Sequence, residues 1–153
     1  VWQGTENAVD QLASNADYDV TRQIGFLIRK ASQRHLAIFS DVLAPLGLTP
    51  AQFTALCTLR DHGACSQAEL VRATAVDQAT IRGVVERLEA RGLIRLRKSS
   101  DDGRKVMMSL TTAGGETLEE AIPYARRITE ETLRNLNPAE RFALEFLLDK
   151  IGE

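Results

Sequence analysis

Between Ser66 and Leu110 several local signals follow one another with little chain between them. Ser66-Gln67-Ala68-Glu69 is a capping box, a hydroxyl followed three residues later by a carboxylate, and it opens a short helix to about Thr74. Asp77 caps a second helix, which ends near Arg91-Gly92, where glycine suits the left-handed backbone of a helix end. Ile94-Arg95-Leu96-Arg97 and Val106-Met107-Met108-Ser109-Leu110 then read as short strands, the first alternating apolar and basic residues. The charged turn Ser99-Ser100-Asp101-Asp102-Gly103-Arg104 joins them. Helix, turn, helix and basic hairpin in that order is the layout of a winged helix-turn-helix. Such a layout sets one helix in a DNA major groove and the hairpin tip on the neighbouring backbone or minor groove.

The flanks are helical. Residues 1–16 are small and polar and read as a loose arm. From about Asp19 to Leu46, Ile24, Leu27, Ile28, Ala31, Ile38, Phe39, Val42, Leu43 and Leu46 recur at steps of three and four. That predicts one helix of about seven turns, too long to bury its apolar stripe on so small a domain, so a partner chain is the natural cover. Thr49-Pro50-Ala51-Gln52 starts the next helix, with Thr49 as N-cap, Pro50 at the first helical position and Gln52 as box partner. It runs to about His62. A helical pattern resumes at Thr111 and continues to about Asn135, where Pro123 predicts a kink or break. Asn137-Pro138-Ala139-Glu140 opens a last helix carrying Phe142, Phe146, Leu147 and Ile151. The fold class is therefore mainly α with a small two- or three-stranded β wing.

Charge sharpens this reading. The 153-residue chain has a net charge of −2, yet residues 72–105 hold nine Lys/Arg against five Asp/Glu, a local +4. A basic segment on an acidic body is the footprint of a face that meets phosphate, although a solvated charged face has the same composition. No apolar run reaches the ~18 residues of a membrane span, and no secretory leader is visible. Two cysteines, Cys57 and Cys65, are too few for a disulfide scaffold and lack zinc-ligand partners, which favours a reducing, cytoplasmic setting. No Ser/His/Asp set, metal cluster or phosphate-binding glycine loop is present, and the two histidines, His35 and His62, are far apart. An enzyme, a cofactor and a metal are not expected.

On the helix from Asp77 to Arg91, Ile81, Val84, Val85 and Leu88 share one face and are expected to pack on the helix before it. The other face offers Gln78, Ala79, Arg82, Gly83 and Glu86. Gln78 can pair bidentately with adenine, and Arg82 with guanine N7 and O6. Ala79 and Gly83 are small enough to let the helix sit deep. Arg87 and Arg91 lie further along, suited to phosphate or to intrachain pairs. Arg95, Arg97, Lys98, Arg104 and Lys105 crowd the hairpin; Arg104 at its tip can enter a narrow minor groove, steadied by Asp102. The expected DNA-binding set is Gln78, Ala79, Arg82, Arg87, Arg97, Asp102, Arg104 and Lys105. An ordinary amphipathic surface helix and a charged edge ribbon are the competing readings.

Leu46-Gly47-Leu48-Thr49-Pro50-Ala51-Gln52-Phe53, Ser66-Gln67-Ala68-Glu69-Leu70, Val85-Glu86-Arg87-Leu88-Glu89-Ala90-Arg91-Gly92-Leu93-Ile94, and Asp102-Gly103-Arg104 with Ser109-Leu110-Thr111 and Gly114 stand in the order and spacing of the MarR family of bacterial transcriptional regulators. The chain resembles that family from about Ile24 to Ile151. The resemblance implies a homodimer, with residues 17–47 and 111–153 as dimerisation region and 48–110 as the DNA-binding lobe. It also implies a pseudo-palindromic operator on double-stranded DNA, usually held by a repressor, with recognition helices ~34 Å apart. The wing motif matches at Asp102 and Arg104. Family members often carry Thr or Ser followed by Arg where this chain has Arg82 followed by Gly83, so its operator preference is expected to be its own.

The same resemblance implies release from DNA by a small aromatic or heteroaromatic carboxylate, acting on aromatic catabolism or efflux genes. The site is expected between the dimerisation helices and the DNA-binding lobe, with Arg29, Arg34, His35, Gln52 and Phe53 as contacts and Thr49 nearby. Each of these residues also reads as a solvated or interhelical side chain. A thiol-based redox sensor is a further alternative: Cys57 reads as core, whereas Cys65, just before a cap, is expected to be exposed. A winged-helix protein-interaction module without DNA binding is the other.

Overall fold

A computed structural model describes residues 18–99 and 105–152. The expectations for the arm at 1–16 and for Asp101, Asp102, Gly103 and Arg104 lie outside the described residues. The elements are α1 (Ile24–Val42), α2 (Pro50–His62), β1 (Cys65–Ser66), α3 (Gln67–Thr74), α4 (Gln78–Ala90), β2 (Ile94–Lys98), β3 (Val106–Leu110), α5 (Thr112–Thr132) and α6 (Pro138–Gly152). The chain divides into two compact units, Val1–Arg34 and His35–Glu153.

The expected seven-turn first helix is shorter than its apolar pattern. A separate 3-10 turn, Val20–Arg22, precedes it, capped by the Asp19 carboxylate on the Thr21 amide, and Gln23 is extended. At the other end Pro45 has no N–H to offer the Asp41 carbonyl. The α-helix therefore stops at Val42, and a 3-10 turn, Ala44–Leu46, closes on Gly47 in the left-handed region at φ 58°.

Three helix starts follow the capping logic of the sequence. In α2 the Gln52 amide donates to Thr49 Oγ1 while Gln52 Oε1 accepts from the Thr49 amide; Ser66 and Glu69 do the same for α3. Asp77 accepts from the Thr80 amide at 2.9 Å. Between α3 and α4 the chain turns at Ala75, a non-glycine residue with φ 52°. The Thr74 hydroxyl bridges that turn, donating to the Leu70 carbonyl and accepting from the Val76 amide.

The sheet is antiparallel in the order β1-β3-β2. β2 and β3 pair from Ile94 opposite Leu110 to Lys98 opposite Val106. β1 adds only Cys65 opposite Met108 and Ser66 opposite Met107. The wing is fastened at its base: the Thr111 hydroxyl donates to the Gly92 carbonyl at 2.6 Å and accepts from the Gly114 amide at 3.0 Å. Gly114 must be glycine, because a Cβ there would overlap the Leu93 carbonyl.

Leu56, Leu70, Ile81, Val84, Leu88, Met108, Leu118, Ala121 and Ile128 form one core with Phe39 and Leu43. α5 runs through Pro123 without a break and ends at Thr132 rather than near Asn135. Pro123 is exposed, so the Glu119 carbonyl it leaves without a helical donor stays on the wet side. Buried Leu118, Ala121 and Ile128 hold the two halves of the helix on the core. α6 is different: it buries no residue and exposes Phe142, Phe146, Leu147, Leu148 and Ile151.

Candidate nucleic-acid interface

α4 divides as its sequence pattern requires. Ile81, Val84, Val85 and Leu88 are buried against the core, which turns Gln78, Ala79, Arg82, Glu86 and Arg87 to solvent. The Asp77 cap leaves the first turn of α4 intact at the exposed end where a recognition helix meets base edges. Arg82 lies beside Glu86, Nε to Oε1 at 3.1 Å, an exposed i,i+4 pair. Such a pair is weak enough for a base edge to replace.

Gln78 does not stand alone. A groove of about 650 Å³ runs between α3, the start of α4 and the foot of the wing, and Gln78, Arg72, Gln67 and Lys105 line it. Arg72 was not singled out by sequence reasoning; the signal that could have found it is its place in the last turn of α3, beside the tight turn to α4. The wing contributes exposed Arg95 and Arg97 from β2, with Arg95 Nε donating to Ser109 Oγ at 3.0 Å.

Lys105 has a second tie. Its ammonium donates to Glu69 Oε1 at 3.3 Å, and Glu69 Oε2 accepts from both the amide and the hydroxyl of Ser66 at 2.7 Å. The Ser66 amide, the Ser66 hydroxyl and then Lys105 hold the Glu69 carboxyl well below its ordinary value, at about 2. One carboxylate thus caps α3 and holds the foot of the wing. Asp77 is lowered as well, by the hydroxyl and amide of Thr80.

Arg91 resolves toward an intrachain role. Its guanidinium reaches back across 44 residues to donate to the Gly47 carbonyl and, with its other nitrogen, to the Leu46 carbonyl, both at 2.9 Å. The end of α4 is thereby tied to the turn that leads into α2. No local pattern marks such a contact.

The expected ligand contacts separate. His35, half-buried, has Nδ1 3.0 Å from Thr132 Oγ1 on α5. Its ring meets Phe39 edge-on at 6.4 Å, and Phe39 meets Phe53 edge-on at 6.1 Å, so three rings step from α1 to α2. Phe39 was read only as an apolar helix position, although its spacing of four from His35 places both on one helix face. Gln52 is buried, and its amide oxygen is committed to the Thr49 cap, which limits what it can offer a ligand. Arg29 and Arg34 are exposed in the amino-terminal unit, Arg29 with its guanidinium 5.3 Å above the Phe26 ring.

Cys65 is buried in β1, contrary to the expected exposure, because its strand pairs with β3 beneath the wing. Burial pushes its thiol up, and the Glu69 charge pushes it further. Cys57 is half-buried against the core and its thiol is likewise raised by burial. Neither is poised as a thiolate.

Residues 46–105 match the MarR family. The chain is 54% identical over 137 residues to the HTH-type transcriptional repressor NicR of Pseudomonas putida, covering 90% of this chain and 87% of NicR. Its fold matches that of BpsR of Bordetella bronchiseptica, whose DNA binding is regulated by 6-hydroxynicotinic acid, with a TM-score of 0.87 and 48% identity over 90% of this chain and 99% of that one. A mutant of MarR from E. coli complexed with operator DNA is similar at TM-score 0.80 and 29% identity, over 88% of this chain and 99% of that one. Among the described residues, no helix is long and apolar enough to cross a membrane.

Proposed function

The chain belongs to the MarR family and is a transcriptional regulator rather than an enzyme; on that premise we infer that it works as a homodimeric repressor, released from a pseudo-palindromic operator by a small heteroaromatic carboxylate. The observation that carries this reading is the similarity to NicR, a repressor, and to BpsR, whose DNA binding answers to 6-hydroxynicotinic acid. α4 enters the major groove with Gln78, Ala79, Arg82 and Arg87, and Arg97 and Lys105 flank it from the wing, with Asp102 and Arg104 as wing contacts on sequence grounds. Residues 48–110 are the DNA-binding lobe. Residues 17–47 and 111–153 dimerise, supported by the apolar side chains that α1 and α6 leave exposed: Ile24, Leu27, Ile28 and Leu36, then Phe142, Phe146 and Ile151.

For the effector, the His35, Phe39 and Phe53 rings offer edges to a flat heteroaromatic ring. His35 adds a hydrogen-bonding nitrogen already oriented by Thr132. Arg29 and Arg34 remain candidates for the carboxylate on residue type, since a guanidinium pairs with it in a fixed fork. The raised thiols favour this reading over a redox sensor, for which a lowered pKa is needed.

A gel-shift titration on the upstream region of its own gene tests both halves. Affinity should fall roughly 10³–10⁵-fold between 50 and 200 mM salt if six to ten phosphates are contacted. Adding 6-hydroxynicotinic acid should weaken it further at constant salt. Absence of salt-dependent binding overturns the repressor reading; binding indifferent to heteroaromatic carboxylates overturns only the effector.

A further inference from the structure

Gly83 sits in the middle of α4 on its outward side, where glycine weakens a helix relative to alanine. Its neighbourhood gives the reason. A Cβ at this position would lie 3.3 Å from Arg87 Nη2, 3.5 Å from Nη1 and 3.6 Å from Cζ. Both Nη nitrogens lie nearer than Cζ, so the guanidinium turns its Nη edge obliquely against the bare Cα. Side chains on a helix lean toward its N-terminus, so Arg87 folds back one turn to reach this spot. The cover also makes Gly83 half-buried on an otherwise exposed side. Glu86 is engaged by Arg82, and among the described residues Arg87 has no carboxylate partner. Ala79, one turn before Gly83, keeps the approach open.

We propose that Gly83 determines operator specificity through Arg87: the missing side chain lets the guanidinium rest against the groove-facing surface of the helix, where it reads a guanine edge a full turn nearer the helix start than its own Cα. The proposal rests on the DNA-binding reading. A guanidinium held against the helix has lost little further freedom when it meets guanine N7 and O6. The bare Cα thus leaves open a seat that alanine, the better helix former, would narrow and a larger side chain would close.

The test is a cycle of variants titrated against the operator and its single base-pair substitutions. Arg87→Ala should weaken operator binding roughly tenfold, with the loss concentrated at one G·C pair. Gly83→Ala needs Arg87 to move only a few tenths of an ångström, so it should cost a few-fold; Gly83→Leu, which blocks the seat, should cost as much as Arg87→Ala. Both glycine variants should melt higher than wild type, so lost affinity cannot be ascribed to a weakened fold. In the Arg87→Ala background neither should weaken binding further. Additive losses would overturn the proposal, since the glycine would then merely clear the DNA. A uniform loss over all base pairs with a shallower salt slope would overturn it too, making Arg87 a phosphate contact. If wild type itself fails to bind, the DNA-binding reading falls first and this proposal with it.

Discussion

α4 and α6 are similar in length, 13 and 15 residues, and start in the same manner, yet their surroundings are opposite. Asp77 caps α4. Asn137 and Glu140 cap α6 reciprocally, the Asn137 amide donating to Glu140 Oε2 at 2.8 Å and the Glu140 amide to Asn137 Oδ1 at 3.0 Å. α4 then buries four side chains in its own core, whereas α6 buries none, with Phe142 74% and Phe146 59% exposed. A cap satisfies backbone N–H groups wherever the side chains go. Helix formation is therefore written locally in both, but the burial of α6 is not supplied by the described residues of this chain. Covering that aromatic face is the role proposed above for a second copy.

The largest effect should come from emptying the α4 side of that comparison. Leu88 is fully buried, so Leu88→Ala should destabilise the chain by ~2–5 kcal/mol. Leu147→Ala on α6, measured by urea unfolding at a concentration where the protein is monomeric, should cost less than ~0.5 kcal/mol. Equal costs would mean that α6 packs on its own chain after all. Next in size is the aromatic face itself. Replacing Phe142 and Phe146 with serine should raise the dimer dissociation constant at least ~100-fold, since each Phe removed from an interface forfeits ~1.5–3 kcal/mol. Sedimentation equilibrium reads this, and the unfolding midpoint of the monomeric lobe should not move.

What could be read in the sequence follows the same division. The caps at Thr49, Ser66, Asp77 and Asn137 each depend on residues within four positions, and the structure forms all of them. The inward face of α4 was equally legible, because its period is local. The features that needed the tertiary structure were missed. β1 is two residues long and exists only because β3 lies beside it. Pro123 stays helical because the core grips both sides of it. The bond from Arg91 to the Leu46 and Gly47 carbonyls spans more than forty residues. In the candidate ligand site, His35 and Phe53 are legible from their helices and Phe39 from its spacing of four from His35, but the partner Thr132, 97 residues away, is not.

A smaller effect distinguishes the α3 box from the α6 box, since only the former has a third partner, Lys105. Glu69 titrates at about 2 when folded against an ordinary value near 4.5. A depressed carboxylate contributes stability that is present above its ordinary value and lost as pH falls through the folded one. Wild type should therefore lose stability between about pH 4.5 and 2. Glu69→Gln keeps an amide oxygen for the Ser66 amide but cannot titrate, so its unfolding midpoint should fall less between pH 6 and 3. Asp19, Asp61 and Asp77 are lowered too and leave a residual slope of the same sign. An undiminished slope in Glu69→Gln would assign the acid sensitivity to them.

The smallest effect concerns two left-handed residues that each end a helical segment, Gly47 at φ 58° and Ala75 at φ 52°. The first has the residue its backbone asks for; the second does not. An L-residue with a Cβ costs ~1–2 kcal/mol in this region, while glycine gives the unfolded chain an entropic advantage of ~0.4–1 kcal/mol. The difference predicts that Ala75→Gly stabilises the lobe by ~0.5–1 kcal/mol, and that Gly47→Ala, with open space around its Cα, destabilises it by a similar amount. Thermal melts of the two variants should thus move in opposite directions, by a few degrees each. Should Ala75→Gly lower the melting temperature instead, the alanine methyl would have to stabilise the α3–α4 turn by packing. The left-handed backbone would then be held from outside the turn rather than by the Thr74 bridge within it.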